Sequence, residues 1–242
     1  MISTNIAYGI KKFLCTIISF PKIFFLPGLI VLLTGCLGPK KINKWVDKHY
    51  AEAEKPQKKS TVNYLTVTST MTHMGDHLSN TENKTSNLLP LILYWQWDYK
   101  NTCTLNPQIA IDNFTATVLS YAGKKGLNKK LNGQRVELSI DNMPNVFAVD
   151  DKGHMIWIII WVFGWDELSI LPQNKDIVVS YRVLQDNAET KKGVITIPDA
   201  SKPVYLKMFQ SLKKKTMQSL DAYDANITAM SKVVIDKLMA EL

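Results

Sequence analysis

The chain has 242 residues, a formal net charge of +8, 46% hydrophobic residues and 21% charged residues. These values are ordinary for a globular protein of one or two domains, and they exclude an intrinsically disordered chain and a polytopic membrane protein. The three cysteines, Cys15, Cys36 and Cys103, are too few and too scattered for a disulfide framework or a four-thiolate zinc site.

Residues 1–35 predict a secretory leader. Their only charges are Lys11, Lys12 and Lys22, and an apolar run over residues 23–33 follows them. A basic start, a short apolar stretch and small residues before a cleavage point are the pattern of a signal peptide. The alternative is an uncleaved anchor over residues 13–37, which is long enough to span a bilayer. Lys22 near its middle would cost about 2.5–3.5 kcal/mol, and two prolines interrupt it, so the leader is favoured.

The sequence Leu33-Thr34-Gly35-Cys36, at the end of that run, resembles the lipobox of bacterial lipoproteins. The resemblance implies cleavage between Gly35 and Cys36, and attachment of acyl chains to Cys36 as the first residue of the mature protein. Membrane attachment by several acyl chains is effectively permanent. Leu37 is not the aspartate that retains enteric lipoproteins in the inner membrane, so the resemblance favours the periplasmic face of the outer membrane. The basic segment before the apolar run is longer than is usual in the family.

Residues 36–60 form the predicted lipidated tether. Lysines dominate its charge, against only Asp47, Glu52 and Glu54, and its apolar content is low. This composition predicts a solvated, extended spacer. An alternative use of the same charge is attraction to anionic headgroups, worth about 1 kcal/mol per lysine close to a membrane surface.

Residues 61–242 form the predicted globular domain, and its first half contains two strands and a helix. Alternating β-branched residues predict a strand over 61–70, a polar loop follows over 69–87, and strand character returns over 88–99. In that second strand Trp95 and Trp97 lie on one face. Asn106 and Pro107 form an N-cap and first-turn pair that begins a helix. Gly123, Gly126 and finally Asn132-Gly133 weaken its end, and the last pair is a C-cap or turn signal.

The second half of the domain contains further strands and a long helix. A strand is expected over 134–140, a turn at 150–153, and a central strand over 154–165, because apolar residues occupy both of its faces. Residues 176–184 and 193–197 predict a hairpin with a long loop of turn-forming residues. An apolar stripe from Val204 to Leu238 predicts a helix that is capped by Ser201, opened by Pro203 and about 60 Å long. The fold class is therefore α+β, with a mostly antiparallel sheet covered by two helices, the C-terminal one long.

The chain carries little recognisable chemistry, and we expect a non-catalytic protein without a cofactor or metal. His73 and His77 have helical ligand spacing, but Gly75 between them disfavours a helix, so a polar loop is the better reading. Cys103 is expected to be a core thiol, since no histidine is placed to activate it. Lysine runs lack interleaved aromatic residues, which argues against a nucleic-acid partner.

Trp157, Trp161 and Trp165 share the odd positions of the predicted central strand. They form either core packing beneath the helices or an apolar surface that binds an acyl chain or a partner. The order of elements over residues 88–242 resembles that of envelope-transport auxiliary lipoproteins and of the lipopolysaccharide-assembly lipoprotein. The resemblance implies a binding or assembly subunit of the envelope, with a protein complex or a lipid as its partner. Alternatives are a surface or structural lipoprotein that docks a protein through its C-terminal helix and, more distantly, a hydrolase.

Overall fold

Two five-stranded sheets and four helices make up the described part of the computed structural model, residues 39–52, 61–72, 75–90, 93–158, 161–173, 175–207 and 210–242. The helices are α1 (Pro39–Glu52), α2 (Pro107–Lys125), α3 (Leu127–Leu131) and α4 (Leu212–Glu241). The strands are β1 (Thr61–Val62), β2 (Leu65–Ser69), β3 (Leu78–Leu89), β4 (Tyr94–Leu105), β5 (Arg135–Asn142), β6 (Val146–Ile158), β7 (Trp161–Pro172), β8 (Ile177–Gln185), β9 (Ala188–Ile197) and β10 (Val204–Leu206). The predicted α+β class with a long C-terminal helix is confirmed, although the strands divide between two sheets rather than forming one.

The first sheet has the order β1-β2-β5-β8-β9 and carries the main hydrophobic core. β2 and β5 run parallel, and the other neighbouring strands are antiparallel. Helices α2 and α4 contact each other and contribute to the same core. Side chains from the first sheet and from both helices are buried there, among them Leu65, Phe114, Leu138, Val179, Ile227, Val234 and Leu238. Burial of each such side chain stabilises the fold by about 1.5–3 kcal/mol.

The second sheet has the order β10-β7-β6-β4-β3 and is antiparallel throughout. Its four long strands have 12 or 13 residues, which corresponds to about 40 Å at about 3.3 Å per residue. The buried side chains lie at one end of these strands, with Cys103 and Leu105 in β4, Ala148 and Val149 in β6, and Ile170 in β7. The opposite ends extend away from the buried region.

The local signals around α2 act as the sequence predicts. Asn106 caps the helix by accepting a hydrogen bond from the backbone N–H of Gln108 at 3.0 Å, and Pro107 occupies the first turn. Gly126 ends the helix with φ of 73°, a left-handed conformation that glycine adopts without steric cost. The expected strand over residues 134–140 corresponds to β5.

The predicted hairpin of β8 and β9 is confirmed, with a much shorter connection than expected. Gln185 pairs with Ala188, so only Asp186 and Asn187 form the turn. Both have positive φ, 49° and 66°. Positive φ at both central residues is the type I′ geometry that matches the twist of a hairpin, and Asp and Asn tolerate it well.

Helix α1 corrects the expectation of an extended tether. Residues 39–52 form a helix in which Ile42 and Val46 are buried, and the compact unit of the chain begins at Pro39 rather than at residue 61. On the same helix, His49 Nε2 lies 3.5 Å from a carboxylate oxygen of Asp224 in α4. The low apolar content concealed this helix, because two buried aliphatic residues four positions apart suffice to pack one face. Residues 53–60 lie outside the described residues.

Helix α4 begins later than the sequence predicts. Its N-cap is Ser211, whose hydroxyl accepts from the N–H of Lys214, and not Ser201. The residues that follow Pro203 instead form β10, which pairs with β7 along Leu168–Ile170. Thirty residues at 1.5 Å each give a helix of about 45 Å. Its apolar stripe is buried from Leu212 to Leu238.

Strand β3 replaces the polar loop predicted over residues 69–87. It pairs with β4 over twelve consecutive positions, from Leu78 opposite Leu105 to Leu89 opposite Tyr94. The strand lies at the edge of the sheet and is exposed along nearly its whole length. A strand that is exposed on both faces needs no apolar alternation, which is why its sequence resembles a loop.

Candidate functional site

The stretch predicted as one central strand is the end of a hairpin. Ile158 of β6 pairs with Trp161 of β7 in an antiparallel register, and residues 159–160 between them lie outside the described residues. Residues 150–153, predicted as a turn, lie inside β6 instead. The expectation of a central strand over 154–165, covered on both faces, is therefore wrong. The sequence between the two strands is Ile-Ile, without the Gly, Asn or Asp that predict a two-residue hairpin turn.

A second hairpin ends at the same place. Leu89 of β3 pairs with Tyr94 of β4, and the backbone N–H of Trp157 in β6 donates to the carbonyl of Leu93 at 3.1 Å. We call residues 88–97 and 154–165 together the apolar tip, of which 91–92 and 159–160 lie outside the described residues. The sequence of the tip contains no Asp, Glu, Lys or Arg, and its only titratable side chains are those of Tyr94 and His154.

The apolar tip exposes large hydrophobic side chains. More than half of each of Trp161 (65%), Trp165 (60%) and Phe163 (54%) is exposed. Taking about 200 Å² for an aromatic side chain, these three residues present on the order of 350 Å². The other exposed members are Leu88, Leu89, Leu93, Ile158 and Val162. An apolar surface of this size is comparable to the largest patches on soluble monomers, and such patches are often functional.

The two faces of the tip carry different tryptophans. Directly opposite residues of an antiparallel pair share a face, so Trp161 lies with Ile158, while Trp157 lies with Val162 on the other face. The prediction that Trp157, Trp161 and Trp165 share one face is therefore wrong, because the chain reverses between the first and second of them. Trp157 is half-buried, whereas the other two are exposed.

A row of stacked rings crosses one face of the tip. The ring of His154 lies between Tyr94, at 5.9 Å between centroids, and Trp165, at 5.0 Å. The hydroxyl of Tyr94 and Nδ1 of His154 share a hydrogen bond. The row therefore connects side chains of three neighbouring strands, β4, β6 and β7, across one face of the sheet.

The opposite face carries a tryptophan pair at a similar level. The rings of Trp95 and Trp97 are 5.1 Å apart, and Trp97 packs directly over Gly153. The indole N–H groups donate to Ser86 Oγ at 2.7 Å and to Asp151 Oδ1 at 3.0 Å. Burial raises the pKa of the Asp151 carboxyl, although the Trp97 hydrogen bond opposes this. Both indoles thus have an apolar ring and a satisfied polar edge, as tryptophans at a boundary between apolar and aqueous surroundings do.

Charged residues begin immediately behind these rings. On one face Lys152 lies 3.8 Å from Asp98 and 3.1 Å from Asp150, and Glu167 pairs across from Lys152 in the sheet. From the His154–Trp165 pair to the Ile158–Trp161 pair the strands advance four residues, or about 14 Å. The tip is therefore an uncharged segment about 14 Å long in the strand direction. Aromatic rings lie at its inner end, and charged residues follow behind them.

The other residues singled out in the sequence do not join this site. Gly35, Cys36 and His73 lie outside the described residues. His77 Nδ1 lies 3.0 Å from Asp47 of α1. Cys103 is buried, as predicted, and burial raises the pKa of its thiol to about 12, so it is protonated at neutral pH. The described ranges contain no group of three metal-ligating side chains, and none of their helices has the length and apolarity to cross a bilayer.

Comparison with known proteins gives no family for this chain. No family description matches it, and no curated protein or solved structure matches it either. The functional argument therefore depends on the geometry of the tip.

Sequence reasoning found the tryptophans of the tip but missed Leu88, Leu89, Leu93 and Phe163 as members of one surface. The signal was present, because residues 88–97 and 154–165 are uncharged in a chain with 21% charged residues. Bringing the two segments together required the pairing of β4 with β6, which no local pattern encodes.

Proposed function

We propose that the protein is a non-catalytic, membrane-anchored envelope lipoprotein, and that the apolar tip inserts into the acyl boundary of a lipid leaflet. The lipid anchor in this proposal is Cys36, by its resemblance to the lipobox. The tip makes the folded domain a lipid-binding subunit, which fits a role in envelope assembly or in the transport of lipid or lipopolysaccharide. The observation that carries the proposal is the exposure of large apolar side chains on both faces of an uncharged sheet end.

Exposure on both faces favours lipid over a protein partner. Trp161 and Phe163 are exposed on one face, and Val162 on the other. A protein that docks on a sheet covers one face or one edge, whereas acyl chains surround an inserted element on all sides. Lipid contact would remove the apolar surface of both faces from water at once. The free-energy gain is about 25 cal/mol for each Å² of apolar surface that is buried.

The order of residues along the strands also matches a membrane interface. The outermost residues are aliphatic or aromatic, the stacked rings of Tyr94, His154 and Trp165 come next, and Lys152 and Asp98 lie behind them. Tyrosine and tryptophan concentrate at the headgroup level of membranes, where one side of the ring is apolar and the other is hydrated. The charged residues would then remain in water.

The open edges of the sheet limit the depth of insertion. At the tip, the outer edges of β3 and β7 have no strand partner among the described residues. Unpaired backbone groups are not tolerated in the hydrocarbon centre, where no water reaches them. We therefore expect an interfacial depth of about 5–10 Å, as for other elements that lie at the acyl boundary.

Contacts with β3 give the direction of α1. Asp47 contacts His77 at the start of β3, whereas Asn43, one turn earlier, hydrogen-bonds to Asn80, which is closer to the tip. Pro39 is therefore the end of α1 that faces toward the tip.

A quenching experiment on the full-length protein tests this proposal. The mature lipoprotein is reconstituted into vesicles whose lipids carry brominated acyl chains, which quench nearby tryptophans. Five of the six tryptophans lie in the tip, so we expect strong quenching relative to ordinary lipid. Replacing both Trp161 and Phe163 by serine should reduce the quenching of the remaining tryptophans. A matched control, Val194→Ser with Tyr205→Ser, removes exposed apolar side chains elsewhere and should have no effect. Equal emission from brominated and ordinary vesicles would contradict the proposal.

Docking through the C-terminal helix receives less support. The apolar stripe that would form the docking face of α4 is buried, with Ile227, Val234 and Leu238 fully inaccessible. The helix therefore offers a partner mainly its polar side.

A further inference from the structure

A cavity of about 250 Å³ lies at the end of the second sheet opposite the tip. Its floor comes from the inner ends of the long strands, including Leu105, Phe147 and Ile170. The first half of α4 forms the facing wall through Thr216, Ser219 and Tyr223. These three residues follow at spacings of three and four and so share one face of the helix. The cavity holds a ligand smaller than the drug-sized molecules that occupy pockets of about 300–1,000 Å³.

Two hydroxyl groups on the helix wall have no partner. Thr216 is 1% exposed, and neither its Oγ1 nor the Oγ of Ser219 has a hydrogen-bond partner in the part of the chain that the structure describes. A buried hydroxyl without a partner costs about 1–3 kcal/mol. On the apolar stripe of α4, Thr216 occupies the position between Leu212 and Leu220 where an aliphatic residue would fit the periodicity. Thr216 therefore interrupts the apolar stripe of α4 in the sequence itself.

Several other polar groups around the cavity have hydrogen-bond partners within the protein. Asp199 Oδ1 accepts from the N–H of Ser201 at 2.9 Å and from Asn226 Nδ2 at 2.8 Å. The hydroxyl of Tyr223 donates to the carbonyl of Pro144 at 2.7 Å. Among the described residues, the two hydroxyls are thus unpartnered groups on a mostly apolar wall, and the rim carries one acidic and one basic residue, Asp199 and Lys202.

We infer that this cavity binds a small amphiphile with a medium-length alkyl chain and an uncharged, hydroxyl-bearing head group. The alkyl chain would lie on Leu105, Phe147 and Ile170, and the head group would hydrogen-bond to Thr216 and Ser219. A ligand hydroxyl both donates and accepts, as the two protein hydroxyls do. A charged head group is disfavoured, because the acidic Asp199 and the basic Lys202 at the rim balance each other, and an unpaired charge would be desolvated against the apolar wall. The inference is independent of the proposed function, since the cavity and the tip are at opposite ends of the sheet.

Photolabelling of the full-length protein in lipid nanodiscs tests the inference. The probe is 3-azioctanol, a photoreactive eight-carbon alcohol, and mass spectrometry locates the adducts. We expect saturable adducts on the peptides that contain Phe147 or Thr216, displaced by octanol and at least ten-fold less well by octanoate at a pH where octanoate is ionised.

Three variants separate a binding site from a structural feature. Thr216→Val keeps the side-chain shape, and it should raise the melting temperature of the free protein while lowering labelling at least five-fold. Ser219→Phe fills the cavity and should abolish labelling, whereas Gln218→Phe, on the exposed side of the helix, should leave it unchanged. Adducts confined to the tip, labelling that does not saturate, or a Thr216→Val protein that is labelled normally would each overturn the inference. None of these outcomes depends on whether the tip inserts into lipid.

Discussion

Removal of two aromatic side chains from the tip should weaken membrane binding by a predictable amount. Trp161 and Phe163 are 65% and 54% exposed, and at about 200 Å² per side chain they contribute about 240 Å² of accessible surface. At about 25 cal/mol per Å², complete burial of that surface in lipid is worth up to about 6 kcal/mol. Since insertion at the interface is partial, we take about a third of this value. A loss of about 2 kcal/mol lowers affinity about 30-fold.

The assay uses residues 39–242, one of the two compact units, so that the proposed anchor residue Cys36 is absent and the tip alone decides binding. Its partition onto vesicles of phosphatidylethanolamine and phosphatidylglycerol is measured by sedimentation at increasing lipid concentration. Circular dichroism and thermal melting first establish that the Trp161→Ser, Phe163→Ser protein remains folded.

The control variant, Val194→Ser with Tyr205→Ser, loses side chains that are 61% and 59% exposed at positions outside the tip. It should bind like the original protein. Equal partition of all three proteins would refute the reasoning that converts exposed tip area into membrane affinity.

Three further predictions concern the structure that supports the tip. Gly153→Ala places a Cβ atom 2.1 Å from the Trp97 ring, so Trp97 must move and its bond to Asp151 is lost; we expect about 1–3 kcal/mol lower stability in urea unfolding, and an unchanged midpoint would contradict the packing. Burial raises the pKa of the Cys103 thiol from 9.0 to about 12, so between these pH values the folded state keeps a proton that the unfolded chain releases. Stability should therefore fall with rising pH by up to about 1.4 kcal/mol per unit from this group, and the Cys103→Ala protein should show a shallower decline; identical slopes would argue against a thiol that stays protonated. Val46→Asp buries an unpaired carboxylate and should release α1, seen as lost amide protection in residues 39–52 while the first sheet stays protected; retained protection there would contradict the packing of α1.

Sequence reasoning succeeded where local signals coincide with tertiary pairing. Asn106, Pro107 and Gly126 mark the ends of α2 because capping depends only on neighbouring residues. The β8–β9 hairpin was visible for the same reason, since its strands alternate and its turn residues accept positive φ. The α+β class followed from the number and type of these elements.

Sequence reasoning failed where a long-range contact overrides the local pattern. Val204 belongs to the periodicity of the C-terminal helix, yet it pairs with Ile170 as a strand. Ile42 and Val46 pack α1 although their surroundings are rich in lysine. Such contacts decide structure through packing, which composition and spacing do not report.

The central strand predicted over residues 154–165 was wrong because the sequence of the tip departs from two local patterns. The sequence between β6 and β7 is Ile-Ile, which does not predict a turn, and a strand that is apolar on both faces normally lies inside a protein. Here Trp161 and Phe163 are exposed instead. Departures from local consistency concentrate at functional sites, and this departure is what the lipid proposal explains.

The most direct test of the central claim is a depth measurement at the tip. A spin label at Val162→Cys in the full-length protein, reconstituted in vesicles, is compared with one at Thr85→Cys on β3, closer to the charged residues. The account predicts that the label at 162 is more accessible to oxygen than to a polar nickel complex and lies about 5–10 Å below the headgroups, while the label at 85 remains in water. Equal accessibility of both labels to the polar complex would contradict insertion of the tip.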